Sequence, residues 1–183
     1  NVLLMDYRGY GLSDGEPSEA GVYQDGEAAL KWLLKEKKIP LDKIVVFGRS
    51  LGTTVAVHIS QNRELAGTIL VSPLSSGRDV ASESGLGWLG PTIGRPFDSA
   101  SKMGKLEAPV LIIHGRKDEM LPLEMAEKLH GAAKVEKELF IIENAAHNDL
   151  IDVGPEVFYS KIESFLDMVA PGRGLNTTQE QEF

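Results

Sequence analysis

Cysteine is absent from all 183 residues of this chain. Without a thiol the chain can form no disulfide, no thiolate nucleophile and no zinc–thiolate site. A thiol-based lactone hydrolase is therefore excluded. The absence of cysteine also fits the cytoplasm, where disulfides are rare, and we expect a cytoplasmic location.

Long apolar runs and an excess of positive charge are missing as well. No stretch approaches the ~18 consecutive apolar residues of a membrane-spanning helix, so we predict no membrane span in this chain. The formal net charge is -8. A phosphate backbone or an anionic membrane surface needs a positive patch on its partner, so we expect no nucleic-acid partner.

Short apolar runs alternate with longer amphipathic segments along the chain. This alternation is typical of strand–helix–strand units, which build a mostly parallel sheet with helices on both faces, an α/β fold. The pattern predicts strands at residues 2–5, 44–47, 68–71, 109–113 and 139–142, and helices at residues 19–37, 51–61, 122–130 and 155–169.

Two segments depart from this rhythm within a predicted domain of residues 1–170. Residues 74–107 separate two predicted strands, whereas most connections are about 4–6 residues long. We predict a short cap there, with a crossover helix and irregular flanks as the alternative. Residues 171–183 are polar and are predicted to be disordered.

The sequence Gly48-Arg49-Ser50-Leu51-Gly52 matches the G-x-S-x-G pattern of a nucleophile elbow. The pattern is weak alone, but here it follows a predicted strand and precedes a predicted helix, as the elbow requires. We predict Ser50 as the nucleophile and the backbone N–H of Leu51 as an oxyanion donor. Gly48 and Gly52 are expected because a Cβ at either would collide with its neighbours. A glycine-rich turn with an N-capping serine is the alternative.

A serine hydroxyl needs a base, and the chain has four histidines. His147 lies in a predicted loop just after the last strand, at the sheet edge where functional groups gather, so we predict that it is the base. His58 is expected to pack within a helix, His114 to be a satisfied strand-end residue, and His130 to sit at a helix end.

The acid should follow a strand and precede the histidine, and Asp118 does both. The order Ser, Asp, His along the chain is that of an α/β-hydrolase triad. Asp118 would hold the imidazole tautomer and stabilise the imidazolium. Glu119 is the next candidate, and Glu143 and Asp149 flank His147.

Four segments together resemble the α/β-hydrolase superfamily: D-Y-R-G-Y-G-L-S-D-G-E-P-S-E, F-G-R-S-L-G, H-G-R-K-D-E-M-L-P and A-A-H-N-D. They are most similar to small-cap members with serine-aminopeptidase-like sequence and to esterases related to depalmitoylases. The resemblance implies three further strands upstream of residues 2–5, and a second oxyanion donor in the loop after the third. Both are missing from this sequence, so we predict a fragment of an α/β-hydrolase fold that lacks its first three strands.

The resemblance and the three candidate residues predict a serine hydrolase that cleaves an ester or thioester without metal or cofactor. The expected partner is a small-molecule or lipid acyl substrate, with Trp88, Leu89 and Ile93 of the predicted cap as pocket residues. An aminopeptidase, with Glu83 binding the substrate amine, and a non-catalytic binding protein are the alternatives. A dehalogenase is disfavoured because the nucleophile position holds serine rather than aspartate.

Overall fold

Four parallel strands form the sheet of this protein. The computed structural model describes residues 1–86 and 94–171. The strands follow one another across the sheet in chain order: β1 (Val45–Arg49), β2 (Gly67–Val71), β3 (Val110–Gly115) and β4 (Lys137–Ile142). Each overlaps a strand predicted from the sequence, and the predicted α/β fold class is confirmed.

The register of the strands brings their carboxyl ends to a common edge. Arg49 of β1 lies opposite Val71 of β2, and Val71 lies opposite Ile113 of β3. Gly115 then pairs with Ile142, the last residue of β4. The chain segments that follow these strands therefore leave the sheet side by side, which is where a parallel sheet places its functional groups.

Helices connect the strands and flank the sheet. Ser18 caps the first helix by accepting a hydrogen bond from the N–H of Gly21, and Pro155 occupies the first turn of the last helix. None of the helices within residues 1–86 and 94–171 is both long and apolar enough to cross a membrane. The helices are α1 (Glu19–Lys35), α2 (Gly52–Ser60), α3 (Gly77–Ala81), α4 (Ala100–Met103), α5 (Leu123–Ala132), α6 (Leu150–Val153) and α7 (Pro155–Val169).

The two faces of the sheet are covered by different helices. Leu70 and Ile112 of the central strands pack with residues of α2, α4 and α5, among them Val57, Met103 and Leu129. Alternate residues of the same strands, Ile69 and Leu111, pack with Phe158 and Phe165 of α7. Because β2 and β3 are buried on both faces, their sequences are continuous apolar runs rather than alternating ones.

The segment at residues 2–5 is not a strand, so that prediction is wrong. Val2 and Leu4 are 85% and 87% exposed, and the segment pairs with no strand of the described chain. An apolar run favours a strand, but a strand also needs a neighbour for its N–H and C=O groups. The nearby Arg8 instead binds Asp25 of α1 through both its backbone N–H and its guanidinium group.

The two irregular segments are only partly described. Residues 74–107 contain α3, a single π-type turn at Ser82–Leu86, and α4. Residues 87–93 lie outside the described residues, so the choice between a cap and a crossover stays a prediction. Of the predicted tail at residues 171–183, only Pro171 is described.

Candidate active site

Ser50 occupies a strained turn between β1 and α2. Its φ of 50° lies in the left-handed region that residues other than glycine rarely adopt. The backbone on both sides is fixed, since the Ser50 N–H donates to the Val71 carbonyl at 2.9 Å and Thr53 Oγ1 donates to the Ser50 carbonyl at 2.6 Å. Strain of this kind persists only where the surrounding structure imposes it, and such residues cluster at functional sites.

The two glycines that flank Ser50 are not equivalent. A Cβ at Gly48 would lie 2.5 Å from the Gly52 carbonyl oxygen and 2.8 Å from the Cα of Thr53, so only glycine fits there. A Cβ at Gly52 would meet nothing closer than the Tyr7 hydroxyl at 3.6 Å, an ordinary contact. The expected collision is therefore present at Gly48, and the expectation is wrong for Gly52, where a Cβ would make only an ordinary contact.

Leu51 lies between Ser50 and the first residue of α2. A backbone N–H at this point is directed along the start of the helix, where the helix dipole favours negative charge. The role of Leu51 as an oxyanion donor stays a prediction.

Asp118 is held in a tight turn just after β3. Its N–H donates to the Gly115 carbonyl at 3.2 Å. One carboxylate oxygen, Oδ1, accepts hydrogen bonds from the N–H groups of Met120 at 3.0 Å and Leu121 at 2.8 Å. These contacts orient the buried side chain and leave Oδ2 for another partner.

His147 lies in the loop between β4 and α6. The loop folds back on itself because Asp149 Oδ1 accepts a hydrogen bond from the Ala146 N–H at 2.6 Å. It rests against the end of β3, where the Lys117 N–H donates to the Ala145 carbonyl at 2.9 Å. A Cβ at Gly115 would overlap that carbonyl, so glycine allows the loop to approach. His147 is only 7% exposed as a result.

The structure brings Ser50, Asp118 and His147 into one hydrogen-bonded chain. His147 Nδ1 lies 2.7 Å from Asp118 Oδ2, and His147 Nε2 lies 3.0 Å from Ser50 Oγ. An ionised carboxylate only accepts hydrogen bonds, so the proton of a neutral His147 is on Nδ1. Its Nε2 is then an acceptor for the Ser50 hydroxyl proton, which is the arrangement of a nucleophile with its base.

The other candidate acids lie elsewhere. Glu119 is exposed, although it is adjacent to Asp118. Glu143 binds Arg116 on the surface, with 2.8 Å between Oε1 and Nη2. Asp149 is engaged by the backbone of its own turn. Asp118 is thus the one of the four candidates that contacts the imidazole of His147.

His114 is a residue of this site that sequence reasoning missed. It is fully buried at the end of β3, and its Nε2 donates to the Leu121 carbonyl at 2.8 Å. The same Nε2 lies 3.4 Å from Asp118 Oδ2, the oxygen that faces His147. Burial lowers the pKa of His114, which favours the neutral ring. The sequence signal for this residue is H-G-R-K-D, in which His114 lies at the end of β3 and Asp118 lies just after it.

The expectation that His114 is satisfied is only half right. Its Nδ1 is buried and has no hydrogen-bond partner within the described residues, although its Nε2 has two oxygens nearby. A buried imidazole nitrogen without a partner is costly, and such groups are concentrated at functional sites.

The remaining histidines do not approach Ser50. His58 stacks on Tyr23 with 4.1 Å between the ring centroids, beside a shallow groove on α1. His130 lies in the last turn of α5. No group of three His, Asp or Glu side chains suited to a metal ion occurs within residues 1–86 and 94–171. The predicted pocket residues Trp88, Leu89 and Ile93 lie outside the described residues.

The chain is similar to two groups of sequences that carry hydrolase names. The Dienelactone hydrolase family model matches residues 12–156. The "Alpha/beta hydrolase domain-containing protein aho-3" of Caenorhabditis elegans is 34% identical over 170 residues, which cover 93% of this chain and 50% of that protein. The human "Alpha/beta hydrolase domain-containing protein 17C" is 35% identical over 160 residues, which cover 82% of this chain and 45% of that protein.

A solved structure gives the same picture of the fold. The Pyrococcus furiosus esterase Pf2001 superposes with a TM-score of 0.70 at 25% identity, covering 89% of this chain and 68% of the esterase. The chain spans about half the length of the two named relatives, 50% of one and 45% of the other. Since the family model matches most of the sequence, the chain belongs to the dienelactone hydrolase family, within the α/β-hydrolase superfamily that its motifs indicated.

Proposed function

We propose that this protein hydrolyses an ester or thioester, with Ser50 as nucleophile, His147 as general base and Asp118 as the acid that orients it. The observation that carries the proposal is the hydrogen-bonded chain from Ser50 Oγ through His147 to Asp118, with 3.0 Å and 2.7 Å between its atoms. Both distances lie within the range that proton transfer between a nucleophile, its base and an orienting group requires.

The reaction proceeds through a covalent acyl-enzyme. His147 Nε2 takes the proton of Ser50 as Oγ attacks the acyl carbon, and the Nδ1–H of the resulting imidazolium stays bound to Asp118 Oδ2. The imidazolium then gives its proton to the departing alcohol or thiol. Water, activated by the same imidazole, releases the acid and restores Ser50.

The oxyanion of each tetrahedral intermediate needs hydrogen-bond donors. Leu51 is proposed as one donor through its backbone N–H, because it lies directly after the nucleophile and before the first residue of α2. One such donor contributes about 2.7–4 kcal/mol to the transition state in a measured case. The relatives are about twice as long as this chain. A second oxyanion donor and the rest of the substrate site are therefore proposed for the whole protein and are assigned to no residue of this chain.

Membership of the family supports a hydrolase. The proposed nucleophile is a serine hydroxyl rather than a thiol. The matched family is named for a lactone hydrolase, and a lactone is itself an ester. The chain has no cysteine, so no thiolate of this chain can attack, and the Ser50 hydroxyl is proposed in its place. The esterase Pf2001 adds support at the level of reaction class. We propose an acyl group of a small molecule or lipid as the substrate.

Labelling with a fluorophosphonate probe tests the nucleophile. We expect the protein to label, and we expect Ser50→Ala to abolish labelling while leaving the fold intact. Ser72→Ala is the matched control, because Ser72 follows the neighbouring strand β2 and shares the left-handed conformation, with a φ of 46°. Absence of labelling in the unaltered protein would instead favour a binding protein on the same fold.

A panel of p-nitrophenyl esters of rising chain length then tests the reaction class. We expect ester hydrolysis that depends on Ser50, and a thioester series compares the two leaving groups. Hydrolysis of aminoacyl p-nitroanilides without hydrolysis of the esters would favour the aminopeptidase alternative. In that alternative Glu83, which lies exposed in the Ser82–Leu86 turn, would bind the substrate amine.

A further inference from the structure

The base and the nucleophile reach each other from opposite edges of the sheet. Ser50 follows β1, and the loop with His147 follows β4, so β2 and β3 lie between them. Three strand spacings of about 4.8 Å separate the two outer strands by ~14 Å. The loop must therefore cross the carboxyl edge of the sheet before His147 can meet Ser50.

Contacts from the end of β3 and the turn after it hold the first part of this loop and the imidazole of His147. Ala145 accepts a hydrogen bond from the Lys117 N–H at 2.9 Å and rests against Gly115. Arg116 and Glu143 form an ion pair at the start of the loop, where both side chains are about half exposed, at 47% and 64%. The Asp118 carboxylate holds His147 Nδ1 at 2.7 Å, so the backbone of His147 and the side chain of Asn148 are left to be positioned from the other side.

Arg49 provides that second anchor. Its Nη2 donates to the backbone carbonyl of His147 at 3.1 Å and to the Asn148 side-chain oxygen at 3.0 Å. Arg49 is also the last residue of β1 and is bonded directly to Ser50. One guanidinium group thus connects the residue before the nucleophile to the residue that carries the base, 98 positions later.

We propose that Arg49 is a positioning residue that holds His147 over Ser50. This inference rests on the proposed function, because it assigns Arg49 a role in the same reaction. Both acceptors are neutral, so the contact is a directional clamp rather than an ion pair. Both bonds come from Nη2, whose two N–H groups point in fixed directions in the guanidinium plane, unlike the freely rotating N–H groups of a lysine ammonium. A displacement of His147 by about 1 Å is enough to reduce catalysis by about 100-fold.

The test measures kcat and KM for a neutral p-nitrophenyl ester and the rate of fluorophosphonate labelling. Arg49→Met is expected to lower kcat and the labelling rate by about 10- to 100-fold with little change in KM. Arg49→Lys keeps one charged donor and is expected to recover part of the rate. Asn148→Ala removes one acceptor only and is expected to have a smaller effect, which is not additive with Arg49→Met.

Arg116→Met is the matched control, since it removes a different guanidinium group from the start of the same loop. We expect its kcat and labelling rate to equal those of the unaltered protein. Thermal unfolding of all variants separates misfolding from mispositioning, and equal melting temperatures for Arg49→Met and Arg116→Met support the clamp.

Three outcomes overturn the inference. Equal labelling rates for Arg49→Met and the unaltered protein would show that Arg49 does not position His147. A rise in KM confined to an anionic ester, with kcat for the neutral ester unchanged, would make Arg49 a substrate-binding residue instead. Absence of labelling in the unaltered protein would overturn the proposed function itself, and with it the role of Arg49.

Discussion

The turns after β1 and β3 place their functional groups by different physical means. The turn that carries Ser50 is shaped by steric exclusion, with Gly48 packed against the backbone of Gly52 and Thr53 and with Ser50 in a left-handed conformation. The turn that carries Asp118 is shaped by hydrogen bonds, since the carboxylate binds two backbone N–H groups of its own turn.

This difference determines what each turn tolerates. A steric constraint fails as soon as an atom is added, because backbone cannot move aside without cost. A hydrogen-bonded turn fails only when a donor or acceptor is lost, and an isosteric replacement preserves it. Substitutions in the Ser50 turn therefore test steric fit, and substitutions in the Asp118 turn test hydrogen bonding and charge.

The largest effect is expected for Asp118→Asn, which changes the group that faces His147 and keeps the hydrogen bonds of the turn. The amide oxygen still accepts from Met120 and Leu121, but an NH2 group now faces His147 and imposes the wrong tautomer. We expect kcat to fall by about 10⁴-fold. Glu119→Gln is the matched control and should leave kcat unchanged, because Glu119 is exposed. Similar losses for both variants in ester hydrolysis would contradict the assignment.

Gly48→Ala tests the steric turn and is expected to be the next largest effect. The new Cβ would lie 2.5 Å from a backbone carbonyl, so we expect a loss of about 1–3 kcal/mol in the free energy of unfolding and a displaced Ser50. Gly52→Ala is the matched control, with 3.6 Å to its nearest neighbour and no expected loss. Urea denaturation compares the two, and equal destabilisation would refute the steric account.

The pH dependence of the free energy of unfolding tests the environment of His114, which lies beside the hydrogen-bonded turn. Burial lowers its folded pKa below the ordinary value of 6.5, and this outweighs the hydrogen bond to the Leu121 carbonyl and the nearby carboxylates of Asp118 and Glu124, which raise the pKa. The unfolded chain thus binds a proton that the folded chain does not. The contribution of His114 to the free energy of unfolding is therefore fully present above about pH 6.5. It decreases as the pH is lowered from there, by at most about 1.4 kcal/mol per pH unit.

His114→Gln removes this titration and keeps an N–H donor. We expect a flatter dependence of unfolding free energy on pH below about pH 6.5, where the histidine of the unfolded chain becomes protonated. His58, whose pKa is also lowered by burial, remains in both proteins, so the difference between them isolates His114. Parallel curves for the two proteins would show that His114 does not titrate on unfolding in this range.

The smallest effect is expected where a hydrogen-bonded contact is exposed. Glu143→Gln weakens the pair with Arg116, and both side chains are largely in contact with water. Surface pairs contribute little to stability because water and salt screen them, so we expect only a small fall in melting temperature and a small dependence on salt. A melting temperature lowered as much as by Gly48→Ala would mean that the His147 loop depends on this pair.

Most of the fold could be predicted because strand and helix leave periodic signals in sequence. The four strands of the sheet and the helices α1, α2, α5 and α7 were all predicted within a few residues. The segment at residues 2–5 has the same apolar signal as β2, yet it is exposed. Apolar character does not specify a partner, and pairing is a property of the whole chain.

The three candidate catalytic residues could be predicted from the sequence, but the residues that contact and position them could not. Ser50, Asp118 and His147 could be named because each follows a strand of a parallel sheet, and such strand ends share one edge. Arg49 was named only as part of the G-x-S-x-G match and His114 only as a strand-end residue, because the acceptors they contact are 98 and 7 residues away in the chain. No spacing rule connects Arg49 to His147.

The sequence by itself determined the α/β class, the order of the strands' functional residues and the exclusion of thiol chemistry. These follow from local periodicity, tight-turn glycines and composition, which are properties of neighbouring residues. Only the tertiary structure decided which carboxylate meets His147, that Gly48 and not Gly52 is sterically required, and that one guanidinium group joins the end of β1 to the distant His147 loop. Such contacts depend on distances between segments that the chain brings together only when it folds.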